Sequence, residues 1–138
     1  MEKIRDVEKW KSKDYMTRAD ECLRSMARDF EVGDWNSCVI SAVHAGISAA
    51  DALCISSIGR RNASENHRDA ISLLLSINPT DEEIRKAATR LADLLKIKTD
   101  AEYGEKLQSR SNAELAKLNA ERLVSFVRKR LPYSQAMT

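Results

Sequence analysis

Residues 59–67 read GRRNASENH. Arg61, Asn62 and His67 fall within a polar stretch between two apolar segments. An arginine can stabilise the charge that develops on phosphoryl oxygens. A histidine, with an unperturbed pKa of about 6.5, can move a proton at neutral pH. These residue types suit a phosphodiester-cleaving pair, with Arg60 and Arg68 adding phosphate-binding charge. They equally suit a polar turn, in which Asn62 or Ser64 caps the next helix and His67 lies in its first turn.

A second set of polar residues runs Ser37, Ser41, His44, Ser48, Asp51, at steps of four, three, four and three. That spacing puts them on one helix face. The stripe is either water-facing or a buried polar seam. Its residue types are those of a nucleophilic relay, but one helix face is poor geometry for a relay, which is assembled from separate elements. A hydrogen-bonded structural histidine, or the wall of a polar pocket, suits the stripe better. Lys98 extends the apolar stripe of Leu91, Leu94 and Leu95. A lysine there either snorkels to solvent or reaches into a pocket. The basic run ending at Leu131, Arg128-Lys129-Arg130, suits a solvated helix C-terminus.

Five helical patterns must position these groups. The first covers about 3–31 on Tyr15, Ala19, Cys22, Leu23, Met26 and Phe30, with residues 1–14 expected as a charged, helical extension. Gly33 ends it and Asp34 is placed to cap the second, 35–58. That segment, WNSCVISAVHAGISAADALCISSI, is rich in alanine around Gly46, so its neighbours can approach closely. Gly59 closes it. A third helix is expected over 65–77 and is broken by Asn78-Pro79. Thr80-Asp81-Glu82-Glu83 starts a fourth, which Gly104 ends. Ser111-Asn112-Ala113-Glu114 starts a fifth over 112–131. Pro132 stops it, leaving 132–138 as a frayed terminus.

Composition agrees with an all-α bundle. There are 138 residues, only four glycines and two prolines, and 5% aromatics, which suits one helical domain rather than a sheet. The charges nearly cancel, to +2, which neither demands nor excludes a nucleic-acid partner. No apolar run approaches the about 18 residues of a membrane span, and the N-terminus lacks the apolar stretch of a secretory signal. Cys22, Cys38 and Cys54 are odd in number and lie in helical patterns. They are expected as reduced, buried residues of a cytoplasmic protein, spaced too widely for a metal site. No metal and no cofactor is expected.

WNSCVISAVHAGISAADAL, with the glycine and polar turn after it, resembles the second helix of HEPN (higher eukaryotes and prokaryotes nucleotide-binding) domains. LLKIKTDAEYGEKLQSRSNAELAKLNAERLVSFV resembles their C-terminal half. The resemblance covers roughly residues 15–131 and implies an up-and-down bundle of four to five helices. It also implies frequent dimerisation and roles in toxin–antitoxin and defence systems. Some members are metal-independent ribonucleases, in which the 2′-hydroxyl attacks the adjacent phosphate. Their signature is an arginine, a polar residue and a histidine four to six residues beyond the arginine. Arg61, Asn62 and His67 match it. The family's signature, however, lies near the start of the last long helix. The comparable region here is KTDAEY, with Lys98 in place of arginine and Tyr103 in place of histidine. Lysine lacks the planar fork, and tyrosine, with a pKa of about 10, is a poor proton shuttle at neutral pH.

The leading expectation is therefore a non-catalytic nucleotide- or RNA-binding or assembly module in a toxin–antitoxin-like or regulatory setting. Its pocket would hold His44, Asp51, Arg61, His67, Lys98 and Tyr103. A homodimer is expected, with an antitoxin or nucleotidyltransferase-like partner as a further candidate. The alternatives are a metal-independent endoribonuclease using Arg61 and His67, and a structural protein whose alanine-rich surface binds another helix. What separates them is whether the loop of Arg61 and His67 folds over Lys98 and Tyr103.

Overall fold

A computed structural model describes residues 4–135. Its helices are α1 (Ser12–Val32), α2 (Trp35–Ile58), α3 (His67–Ser76), α4 (Glu82–Tyr103), α5 (Arg110–Arg130) and the short α6 (Pro132–Gln135). Two strands, β1 (Ile4–Asp6) and β2 (Arg60–Asn62), form a small antiparallel ribbon. The architecture is the expected all-α helical bundle, with that ribbon added.

Helix α2 is the centre of the bundle and packs against α1, α4 and α5. Val39, Ala42, Val43, Ala45, Ala49 and Ala52 along it are fully enclosed. Gly46 shows why the segment carries so little bulk. A Cβ at that position would lie 2.5 Å from Leu94 Cδ1 of α4 and 3.4 Å from Leu123 Cδ2 of α5. The missing side chain thus sets how closely α2 meets both partners.

The expectation that no apolar run is long enough to span a membrane is corrected here. Over an 18-residue window the mean hydropathy of α2 reaches 1.7, enough by length and composition alone. Within the bundle 72% of that window is buried, so its place as the core helix accounts for its apolarity.

The helix ends follow capping chemistry and, apart from the start of α1, lie within two residues of the bounds expected from the sequence. Gly33 closes α1 with a left-handed φ of 82° and Gly59 closes α2 at 66°. Asp34 stands at the start of α2, but its side chain makes no capping bond. For α3 the cap is Asn66, whose Oδ1 accepts from the Arg68 N–H at 2.8 Å, rather than Asn62 or Ser64. Asp81 caps α4 by accepting from the Glu83 and Ile84 N–H groups at 2.9 and 3.4 Å. Ser109 caps α5 by accepting from Asn112 N–H at 3.1 Å, so the helix starts ahead of the Ser111 box.

The N-terminal expectation is also corrected. Residues 4–6 are a strand and not helical, whereas Lys9–Lys11 form a 3-10 turn that leads into α1 at Ser12. Ile4, Arg5 and Asp6 pair with Asn62, Arg61 and Arg60. Val7 N–H extends the ribbon by donating to Gly59 O at 2.8 Å. At the other end, Leu131 is fully buried and Pro132 opens α6 rather than a frayed tail. Residues 136–138 lie outside the described residues. The basic end of α5 ties the bundle together: Arg128 pairs with Asp20 of α1, and Arg130 with Asp81 at 2.8 Å. Asn36 of α2 holds the α4–α5 connection, donating to Ala101 O at 2.7 Å and accepting from Gln108 N–H at 3.1 Å.

Candidate functional site

A cleft of about 250 Å³ opens where α2, α3, α4 and the ribbon meet. Its apolar wall comes from Ile47 and Ala50 of α2, Ala70 and Leu73 of α3, and Leu91 and Leu95 of α4. Its polar lining includes Asp51 of α2, Arg61 of β2, His67 of α3 and Lys98 of α4. The loop after α2 therefore folds back toward α4 and does not merely join two helices.

Each of these four groups is placed by its own element. Asp51 ends the polar stripe of α2 at a level where the helix has become enclosed, and it is only 8% exposed. Arg61 is aimed inward by the ribbon, with its Nε 3.6 Å from Asp51 Oδ2. That is an ion pair just beyond hydrogen-bond length, and Arg61 Nε is buried with no hydrogen-bond partner among the described residues. The Arg61 guanidinium also lies 5.4 Å from the ring centroid of Tyr15, and Arg18 approaches the same ring at 4.9 Å. His67 is the first residue of α3, half-buried beside the Asn66 cap. Lys98 lies one turn beyond Leu95 and is half-buried at the cleft.

The electrostatics are dominated by desolvation. Burial pushes the Asp51 carboxyl up from 3.8 to about 6, against the opposing pull of Arg61 and, more weakly, of Arg18. Cys54 lines the same cleft. Burial, with the Asp51 charge adding to it, pushes its thiol up to about 12, so it is a packing residue and not a nucleophile.

Asn62 does not join the chemistry. Its Nδ2 donates to Ser64 O at 2.9 Å and its Oδ1 accepts from Ser64 N–H at 3.2 Å. Ser64 Oγ in turn accepts from Asn66 N–H at 2.9 Å. The amide of the Arg-Asn-…-His pattern thus shapes the turn that presents His67.

Two expected pocket residues lie elsewhere. His44 is outside the cleft lining, half-exposed, with Nε2 3.9 Å from Glu102 Oε1. It sits two turns from Asp51, where the stripe still faces solvent. Its partner is Glu102 while Asp51 pairs with Arg61, so the stripe forms no relay. Tyr103, the last residue of α4, is 81% exposed and also outside the lining. The helix turns it away because position 103 does not share the face of Leu91, Leu95 and Lys98.

The structure adds residues that sequence reasoning did not find. Arg5 lines the cleft from β1, and Glu65 lines it from the turn. Tyr15, on the expected core face of the first helix, meets Arg61 only through tertiary packing. Among the described residues, no group of three or more His, Cys, Asp or Glu side chains is arranged to hold a metal ion.

The structure is a small helical bundle with a charged, partly apolar cleft between its helices. The HEPN domain family model matches residues 12–130, and the chain belongs to that family. No curated protein sequence matches it.

Proposed function

We propose that this HEPN domain is a non-catalytic binding module for a phosphate-bearing nucleotide, or for an RNA end presenting the same chemistry. The cleft is its site. The observation that carries the reading is the convergence of Arg61, His67 and Lys98 on one cleft with an apolar wall. Arg61 and Lys98 contact phosphate, His67 donates a hydrogen bond, and the apolar wall receives the base. A regulatory or toxin–antitoxin-like setting and a homodimer fit this role and belong to the same proposal, as does a cytoplasmic location.

Two features favour binding over cleavage. Arg61 is already held by Asp51 and the Tyr15 ring, and the Asn62 amide is used within the turn. The endoribonuclease reading retains one specific support, that Arg61 and His67 line the same cleft.

Thermal shift and calorimetry against AMP, ADP and ATP test the module. Lys98→Ala is expected to weaken binding by about tenfold or more. His44→Ala and Tyr103→Phe, outside the cleft, are expected to bind as the native chain does. Binding that fails with His44→Ala but survives Lys98→Ala would place the site elsewhere. Incubation with single-stranded RNA in chelator tests the second reading: cleavage abolished by both His67→Ala and Arg61→Ala would replace the binding module with an enzyme.

A further inference from the structure

The ribbon sets two arginines side by side. In the β1–β2 register Arg5 stands directly opposite Arg61, and both line the cleft. Directly opposed residues of an antiparallel pair project to the same face, and like charges there are unfavourable. The neighbouring pair follows the opposite rule: Asp6 faces Arg60, with Arg60 Nε 3.6 Å from Asp6 Oδ1. One position of a three-residue ribbon is thus charge-matched on one face, while the next puts two cations together on the face that borders the cleft. Arg61 has Asp51 as its counter-charge, and its Nε still has no hydrogen-bond partner among the described residues.

The ribbon is also poorly supported by packing. Ile4, Arg5 and Asp6 are all exposed, and a three-residue two-stranded ribbon is marginal by itself. Its backbone pairing and the Val7 N–H bond to Gly59 O hold it to the loop that carries Arg61. The segment lies ahead of residue 12, where the match to the HEPN family begins. It is therefore a local addition to the matched bundle, placed at the mouth of the cleft.

We infer that the N-terminal strand is a strap belonging to the binding site, in which Arg5 and Arg61 together clasp linked phosphates of a nucleoside diphosphate or triphosphate. Lys98 of α4 adds a third cation to the lining, which also includes the carboxylates of Asp51 and Glu65. A bound polyanion relieves the repulsion between the opposed arginines. Docking of the strap and binding of the ligand then stabilise each other, as linkage requires. The inference rests on the reading of the cleft as a nucleotide site.

The test is calorimetric titration of the full chain with ADP and with AMP, beside Arg5→Ala, Arg5→Lys, Val7→Pro and Lys98→Ala. Amide hydrogen exchange of residues 4–7 is followed with and without ADP. Arg5→Ala is expected to weaken ADP binding about tenfold or more, and AMP binding less. Arg5→Lys restores part of the loss. Val7→Pro, which removes the N–H that reaches Gly59, weakens ADP binding with Arg5 still present. ADP slows exchange at residues 4–7. The melting curves of the Arg5 and Val7 variants are expected to match the native one, because the N-terminal segment adds little to the bundle. Arg5→Ala that binds ADP like the native chain, while Lys98→Ala loses it, overturns the strap and leaves the cleft reading standing. A native chain that binds neither ADP nor AMP overturns both.

Discussion

Asp51→Asn is expected to stabilise the protein at pH 8, although it removes one half of an ion pair. The buried carboxyl is pushed from 3.8 to about 6 even with Arg61 beside it. That rise already contains the attraction of the guanidinium, so it measures a net penalty on the ionised form. At about 1.36 kcal/mol per pH unit, ionised Asp51 costs about 3 kcal/mol relative to its protonated form. Asparagine has nearly the shape of the protonated acid and does not ionise. The variant should therefore gain about 3 kcal/mol at pH 8, which moves a urea midpoint upward by roughly 1 M or more.

The pH dependence follows from the same shift. Between 3.8 and about 6 the folded chain holds the Asp51 proton while the unfolded chain has released it. Stability contributed by this group is fully present below 3.8 and is lost as the pH rises through about 6. The difference between native chain and variant is thus largest at pH 8 and vanishes near pH 4. Urea unfolding of both proteins at half-unit steps from pH 4 to 8 measures it, and the subtraction removes every other titrating group. A variant less stable than the native chain at pH 8, with the gap closing on acidification, would refute the reasoning. It would mean that Arg61 outweighs desolvation and that Asp51 titrates below its ordinary value.

The other two predictions concern packing and reactivity. Gly46→Val is expected to cost about 2 kcal/mol or more, read as a lower melting temperature, because its Cβ would lie 2.5 Å from Leu94 Cδ1 in a filled core; an unchanged melting temperature would show that α4 can yield at that contact. Under native conditions at pH 8, iodoacetamide is expected to label the half-buried Cys22 ahead of the buried Cys38 and Cys54. The Cys54 thiol, pushed up to about 12, is expected to react only on unfolding. Peptide mapping of the labelled protein checks the order, and early labelling of Cys54 would contradict its enclosure.

The parts legible in the sequence are those set by local chemistry. Alanine spacing and Gly46 announced a closely approached core helix, and Gly33 and Gly59 announced the ends of α1 and of that helix, since left-handed backbone there favours glycine. Asp51 and Lys98 were found because each continues a helical stripe that runs from one environment into another. The same stripe logic overreached at His44, since a helix face does not say where along its length solvent gives way to core. It also did not cover Tyr103, which came from comparison with a family signature and lies off the Leu91–Lys98 face. The two have different causes: for His44, depth in the bundle is a tertiary property, whereas the phase of Tyr103 on its helix was already legible. Arg5 carried no local signal at all, because its place at the cleft depends on pairing with a residue 56 positions away.

That division bears on how the cleft works. Its apolar wall is built from the helices α2, α3 and α4, while three of its charged groups, Arg5, Arg61 and Glu65, come from the ribbon and its turn. The buried ion pair is where the two parts meet. Ionised Asp51 holds Arg61 toward the helices and, by the shift of its carboxyl, does so at a cost to stability. A residue that weakens the fold while holding an arginine at a cleft fits the proposed binding site better than a core. Asp51→Asn therefore separates the two roles: it should stabilise the bundle and, by releasing Arg61 from its counter-charge, tighten ADP binding at pH 8. Tighter folding with weaker binding would mean instead that the carboxylate is needed to keep Arg61 in place.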